Sequence, residues 1–210
     1  MALYCSIIRM MILKIVQTGE PILRKKAKKL TRAQLKSSGT QLLIDLMIAT
    51  LRDQPGVGLA APQVGESLQI IVIEDKKEYH EKVSKDLLDA QTRKPVSLKV
   101  IINPILQIED DKNDELFFEG CLSVDGYSAV VPRARRVTVS GIDREGKKVT
   151  VKAEGWLARI IQHEVDHLNG SLYTDKMLSR TFITSKHYAD KWMKSHPSEL
   201  KEYIVESQKV

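Results

Sequence analysis

Cysteine is nearly missing from this chain: Cys5 and Cys121 are the only two in 210 residues. A disulfide framework is therefore excluded, one bridge is the most that could form, and a reducing compartment is the expected setting. Long apolar runs are missing as well. Lys or Arg interrupts every hydrophobic stretch before it reaches the ~18 residues that a membrane span requires, which predicts a soluble protein. Proline (7) and glycine (11) are sparse, and no low-complexity linker or internal repeat divides the sequence. A chain of this length buries roughly 70% of the surface it would expose unfolded, so it builds a core without covalent staples. One α+β domain is the economical reading.

The charge excess is small: 33 Lys and Arg against 27 Asp and Glu leave +6. It is spread along the chain and not gathered in one tail, which reads as a solvated basic surface before it reads as a polyanion site. Residues 1–10 are too short and too weakly basic for a signal or transit peptide and are taken as an unstructured extension. Residues 11–16 restart like a first strand, opening a domain over residues 11–180. The apolar positions Leu35, Leu42, Leu43, Leu46, Met47 and Leu51 predict a single N-terminal helix over residues 31–52. Residues 68–73 and 100–108 read as buried strands, with a charged, irregular surface insertion over 75–95 between them. Alternation over 136–142 and 148–153, around Asp143-Arg144-Glu145-Gly146, predicts an antiparallel hairpin. A helix follows over residues 155–168 and is ended by Asn169-Gly170. Residues 181–210 form a polar tail, thinly set with Trp192, Tyr203 and Ile204, that predicts a loosely attached C-terminal helix.

The sharpest signal lies inside the 155–168 helix: His163-Glu164-Val165-Asp166-His167. Four-residue spacing sets both imidazoles on one helical face, where they can grip a single metal ion while Glu164 stands beside it. Two satisfied core histidines are the bland alternative. Leu157, Ile160, Ile161, Val165 and Leu168 weaken it, since they make the helix largely buried and polar residues costly to place there. A catalytic metal needs a third protein ligand and an open position. The extended peptidase motif H-E-x-x-H-x-x-G-x-x-H is a near miss, because Tyr173 stands where its third His would be. Cys121, in Glu119-Gly120-Cys121-Leu122-Ser123, is a better candidate, as a thiolate flanked by glycine can approach a metal closely from a turn or strand end. The stretch Gly56-Val57-Gly58-Leu59-Ala60-Ala61-Pro62-Gln63 imitates a dinucleotide fingerprint but lacks the strand before it and the helix after it. Its glycines let a backbone pass close to a ligand, and the Gln63 amide suits a developing oxyanion.

Together these three segments, G-x-G-L-A-A-P-Q, E-G-C-L-S and Q-H-E-x-D-H-L in that order, closely resemble peptide deformylase. The similarity runs from about Leu13 to about Met177, including Gly126-Tyr127-Ser128-Ala129-Val130-Val131-Pro132-Arg133, which looks like a subgroup shared by some bacteria and plant organelles. The resemblance implies a single domain of antiparallel sheets packed around a central helix carrying HExxH. It implies removal of the formyl group from the formylmethionine of nascent polypeptides, with release of formate. Cys121, His163 and His167 would hold one divalent ion, Fe(II) in the cell and replaceable by Zn(II), Ni(II) or Co(II). Glu164 would move the proton, and the Gln63 side chain and the Leu122 backbone N–H would meet the oxyanion. Val57 and Gly58 would pair with the substrate backbone beside Gly120, and Val57, Trp156 and Ile160 would wall the methionine side chain.

Asp166 and Glu119 read as structural ion pairs with nearby Arg before they read as groups that steer the metal ligands. Arg133 is weighed equally between a substrate contact and an exposed salt bridge, and His80, His187 and His196 are expected to be solvated. The competing reading is a zinc endopeptidase using the same helix with Glu199 or Glu202 as third ligand. Expected partners are N-formylmethionyl nascent peptides and, through the basic surface, the ribosome, with no membrane and no specific nucleic-acid sequence. A bacterial cytoplasm is the expected location ahead of an organelle.

Overall fold

Runs of β-branched residues and period-two alternation produce the strands. In the computed structural model, which describes residues 11–109 and 114–209, these are β1 (Gly58–Ala60), β2 (Ile70–Asp75), β3 (Val96–Ile108), β4 (Asp114–Cys121), β5 (Val124–Ala134), β6 (Arg136–Ile142), β7 (Lys148–Glu154) and β8 (Ile183–Thr184). They form two antiparallel sheets, one of five strands in the order β1-β2-β3-β6-β7 and one of three in the order β4-β5-β8. The expected hairpin is β6–β7, paired from Arg136 opposite Glu154 to Ile142 opposite Lys148. Residues 1–10, read as an extension, lie outside the described residues.

The 31–52 segment is two helices and not one. α1 (Arg32–Lys36) starts on a Thr31 cap, whose hydroxyl accepts from Gln34 N–H while the Gln34 side chain reaches back to Thr31 N–H. Ser37 breaks the helix with an extended backbone and then caps α2 (Ser38–Asp53), accepting from Thr40 N–H. Helical spacing continues across the break, which is why the interruption is invisible in the apolar pattern; a serine that caps its own successor is the signal. Residues 11–16 are not a strand. Their backbone bonds run singly to scattered partners, Leu13 N–H to Thr50 Oγ1 and Val16 N–H to the Gln63 carbonyl, so no ladder forms. The 75–95 insertion is ordered into a 3-10 turn (Lys77–Lys82) and α3 (Lys85–Ala90), capped by Ser84.

β2 is buried at every position and its alternation divides the core. Ile71 and Ile73 face α4 (Gly155–Leu168), packing with Ala158, Ile161 and Val165. Ile70 and Val72 face the opposite way, into Ile44, Met47 and Leu51 of α2. Each side chain so buried contributes about 1.5–3 kcal/mol. The helix carrying His163 is thereby sandwiched between the five-stranded sheet and the β4-β5 pair. The C-terminal tail is docked and not loose: α5 (Pro197–Gln208) buries Leu200 and Ile204 beside Trp192 against Phe118 and Val130. Trp192 and Tyr203 approach each other at 4.6 Å, ring centre to ring centre, and Phe118 meets both.

Candidate active site

Three distant segments converge on α4. His163 and His167 stand one turn apart with ring centroids 4.9 Å from each other. β4 ends at Cys121, and the two-residue turn Leu122-Ser123 leads into β5, so the thiol is delivered at a strand end. Its sulfur lies 3.3 Å from His167 Nε2, and ligand atoms of Cys121, His163 and His167 all fall within 4.8 Å of one another. Among the described residues this is the group of metal-ligating side chains with that geometry. One thiolate and two imidazoles suit a four-coordinate divalent ion that keeps an open position. Glu164 fits the same purpose: it is 3% exposed, and its Oε2 is buried with no hydrogen-bond partner.

Charge around the two imidazoles is arranged asymmetrically. Glu119 accepts from His163 Nδ1 at 2.9 Å, which turns Nε2 toward the thiol. Burial alone would depress His163, yet Cys121 and Glu119 raise it well above the ordinary histidine value. His167 goes the other way, held well below that value by burial, by His163 and by Arg133. A neutral imidazole is the form that ligates. Burial also pushes the Glu164 carboxyl up to about 7, near the range a neutral-pH base requires.

Glu119 serves both roles that the sequence set against each other. Its carboxylate takes a two-pronged bond from Arg133 at 2.9 Å on each arm and a third from Arg159 at 2.7 Å, while also orienting His163. Burial would raise its pKa, but the guanidinium of Arg133, the His163 bond and Arg159 hold it well below the carboxylate range. Arg133 is 3% exposed and bridges Glu119 to Asp166, so its salt bridges are buried and not at the surface. Arg159, unnoticed in the sequence, is equally buried and also donates to the Val131 and Glu115 carbonyls.

Gln63 is 1% exposed, and its orientation is fixed: Oε1 accepts from Ala60 N–H at 2.8 Å, so the amide nitrogen points at Ser123 Oγ (3.4 Å) and Cys121 Sγ (3.5 Å). Ser123, fully buried, was not singled out from the sequence. Gly58 lies against Glu164, and a side chain there would overlap the carboxylate. Gly120 sits opposite Ser128 in β4. Val57 and Trp156 are half-buried and pack against the cluster that includes Ile160, so the three expected wall residues share one apolar surface. Tyr173 does not ligate. Its ring stacks on His163 at 6.3 Å, its hydroxyl is buried without a partner, and burial raises its pKa. Glu199 and Glu202 lie on α5, outside the ligand group, and Glu199 instead accepts from His196 N–H. Cys121, and neither glutamate, stands in the group that could hold an ion.

The insertion also reaches this surface. Asp75 is fully buried, taking both arms of Arg93 at 2.9 and 3.0 Å, with His80 Nε2 at 3.2 Å. His80 is thus half-buried, with its Nε2 covered, and not solvated. The Arg93 guanidinium lies 4.8 Å from the centre of the Trp156 ring, and the Trp156 backbone N–H donates to the Gln91 carbonyl at 2.8 Å. Alternation of charged residues hid this, because a buried Asp and its Arg look like surface charge until their partners are known.

A family model described as polypeptide deformylase matches residues 12–182. Over 171 residues the chain is 51% identical to Peptide deformylase 1A, chloroplastic/mitochondrial, of Arabidopsis thaliana, covering 81% of this chain and 63% of that protein. It therefore spans less than two thirds of the length of this relative. The mitochondrial peptide deformylase of Homo sapiens is 40% identical over 168 residues, covering 80% of this chain and 69% of its own length. Among solved structures, the Met-Ala-Ser-bound class I type b peptide deformylase of Acinetobacter baumannii superposes with a TM-score of 0.69 at 33% identity, covering 79% of this chain and 98% of that one.

Proposed function

Because the chain belongs to the polypeptide deformylase family, we propose that it removes the formyl group from the N-terminal formylmethionine of nascent polypeptides and releases formate. The observation that carries this reading is Glu164, buried and unpartnered beside the Cys121, His163 and His167 group. The three ligands would hold one divalent ion, which when bound supplies Lewis acidity, acidifying water and polarising a carbonyl. Glu164 takes the proton of the attacking water and returns it to the departing amine. Attack on the formyl carbon leaves the negative charge on the formyl oxygen, and that oxyanion is met by the Gln63 side-chain N–H, already aimed at the ligand group, and by the Leu122 backbone N–H in the β4–β5 turn. β1 is the edge of its sheet, so the segment at Val57 and Gly58 can pair with an extended substrate backbone next to Gly120. Val57, Trp156 and Ile160 then receive the methionine side chain. Release of formate from a formylated Met dipeptide, with no cut in an internally cleavable unformylated peptide, is the expected result; the reverse pattern restores the endopeptidase.

The ion proposed for the cell is Fe(II), with Zn(II), Ni(II) and Co(II) as replacements. An iron form should lose activity in air or peroxide as the ion or the Cys121 thiolate oxidises, and Ni(II) or Co(II) exchange should prevent most of that decay. Equal lifetimes for all metal forms would rule against iron. Gly58→Ala should lower kcat/KM about a hundredfold, because the new methyl displaces Glu164 while leaving the three ligands in place. Metal content near one per chain with that loss is the signature; wild-type turnover would separate Gly58 from the reacting groups.

No described helix is long and apolar enough to cross a membrane. The proposed setting is a compartment where translation starts on formylmethionine. Relatives named chloroplastic and mitochondrial widen the expectation of a bacterial cytoplasm to that class.

A further inference from the structure

The net charge is less evenly distributed than the basic residues are. Residues 24–36 hold Arg24, Lys25, Lys26, Lys28, Lys29, Arg32 and Lys36 and no acidic residue, seven of the 33 Lys and Arg. That leaves 26 basic against 27 acidic residues elsewhere, so this one segment accounts for the whole excess of +6. All seven are exposed, while Ala27, Leu30 and Leu35 between them are buried. Only Arg24 has a described carboxylate partner, Asp175.

This is a fixed strip and not a tail. Ala27 N–H donates to the Leu168 carbonyl at the end of α4, Lys28 N–H to the Ser67 carbonyl, and the Lys28 carbonyl in turn accepts from Gln69 N–H, an isolated bridge to Leu68 just before β2. Asn103 closes a pair of bonds on the Leu30 backbone at 2.8 and 2.9 Å. With the apolar side chains held inward, the seven cations are left exposed along this anchored stretch, the last two, Arg32 and Lys36, one turn apart on α1. Within 24–36 no large apolar side chain is exposed that could enter a lipid surface or a protein pocket.

We infer that residues 24–36 form a docking strip for the phosphate backbone of structured RNA, read by charge and shape without sequence preference. The inference is independent of the deformylation chemistry. Nascent chains emerge from an RNA-rich particle, so the strip would hold the enzyme where its proposed substrate appears.

The test uses full-length protein and a short RNA duplex of arbitrary sequence, titrated over a range of salt. Six unpaired cations predict a slope of log K against log salt of about −5, with affinity in the range of non-specific binding, roughly 10⁻⁴ to 10⁻⁶ M at physiological salt. Replacing Lys25, Lys26, Lys28 and Lys29 with Gln should weaken binding by more than about tenfold and flatten the slope by about 3 to 4. Deformylation of a short formyl-Met peptide should stay at the wild-type rate, which shows that the fold is kept. A charge-matched control replaces the exposed Lys77, Lys82, Lys94 and Lys148 with Gln and should keep most of the affinity. Equal losses in both variants, or no loss in the first, would overturn the strip. Preferential binding to phosphatidylserine vesicles or to polyglutamate would overturn RNA as its partner.

Discussion

Glu164→Ala is expected to abolish turnover while sparing the metal. The carboxylate is not among the three ligands, so metal content should stay near one per chain and the fold should survive, since Oε2 makes no hydrogen bond that the fold needs. What disappears is the group that carries the proton from water to the leaving amine, worth about a hundredfold to ten-thousandfold. A hydroxamate-type inhibitor, which chelates the ion, should still bind, though more weakly. Activity retained with metal bound would mean that another base acts. The described surroundings of the three ligands offer none: Glu119 is committed to Arg133, Arg159 and His163, and Asp166 to Arg133 and Lys176.

Cys121→Ala should act one step earlier, on the ion itself. With only His163 and His167 left, metal recovered by elemental analysis should fall well below one per chain and deformylation should fall with it. Cys121→Ser tests whether sulfur is what matters, because a hydroxyl of similar size ligates divalent ions far more weakly than a thiolate. The thiol is only partly buried, at the margin of the cluster of Val124, Ala129 and Leu172, so either change removes little packing and the melting temperature of the metal-free forms should stay close to that of metal-free wild type. Undiminished metal in Cys121→Ala would take the thiol out of the ligand set.

How legible all this was depended on the range of the interaction. The α4 boundaries and the β6–β7 hairpin follow from spacing within one segment, and they are where the sequence placed them. Glu164 and the two histidines were legible for the same reason: one turn of helix fixes their geometry. The break at Ser37 was missed because apolar periodicity continues through it, and the docking of α5 because Trp192, Leu200, Tyr203 and Ile204 look sparse until Phe118 is seen to gather them. The sequence offered Glu119 an arginine partner and Arg133 a salt bridge, but it named neither the partners nor their burial, and it gave no sign of Arg159. Each is a charged residue whose partners lie 14 to 44 positions away, and only the fold joins the three into one buried network.

One consequence concerns the segment between β2 and β3, which looks disposable on the page of a sequence. It ends by placing the Gln91 carbonyl over the first turn of α4, where Gly155 holds a left-handed backbone (φ +59°) and any side chain would collide with that oxygen. Surface loops ordinarily drift in length, since each added residue changes closure entropy little. This one is not free to drift: trimming it would unseat Arg93 and Gln91 together, and with them Trp156 and the register of the turn that starts the reactive helix. Its length is therefore bound to the identity of residue 155, so the loop and the helix are expected to vary together or not at all.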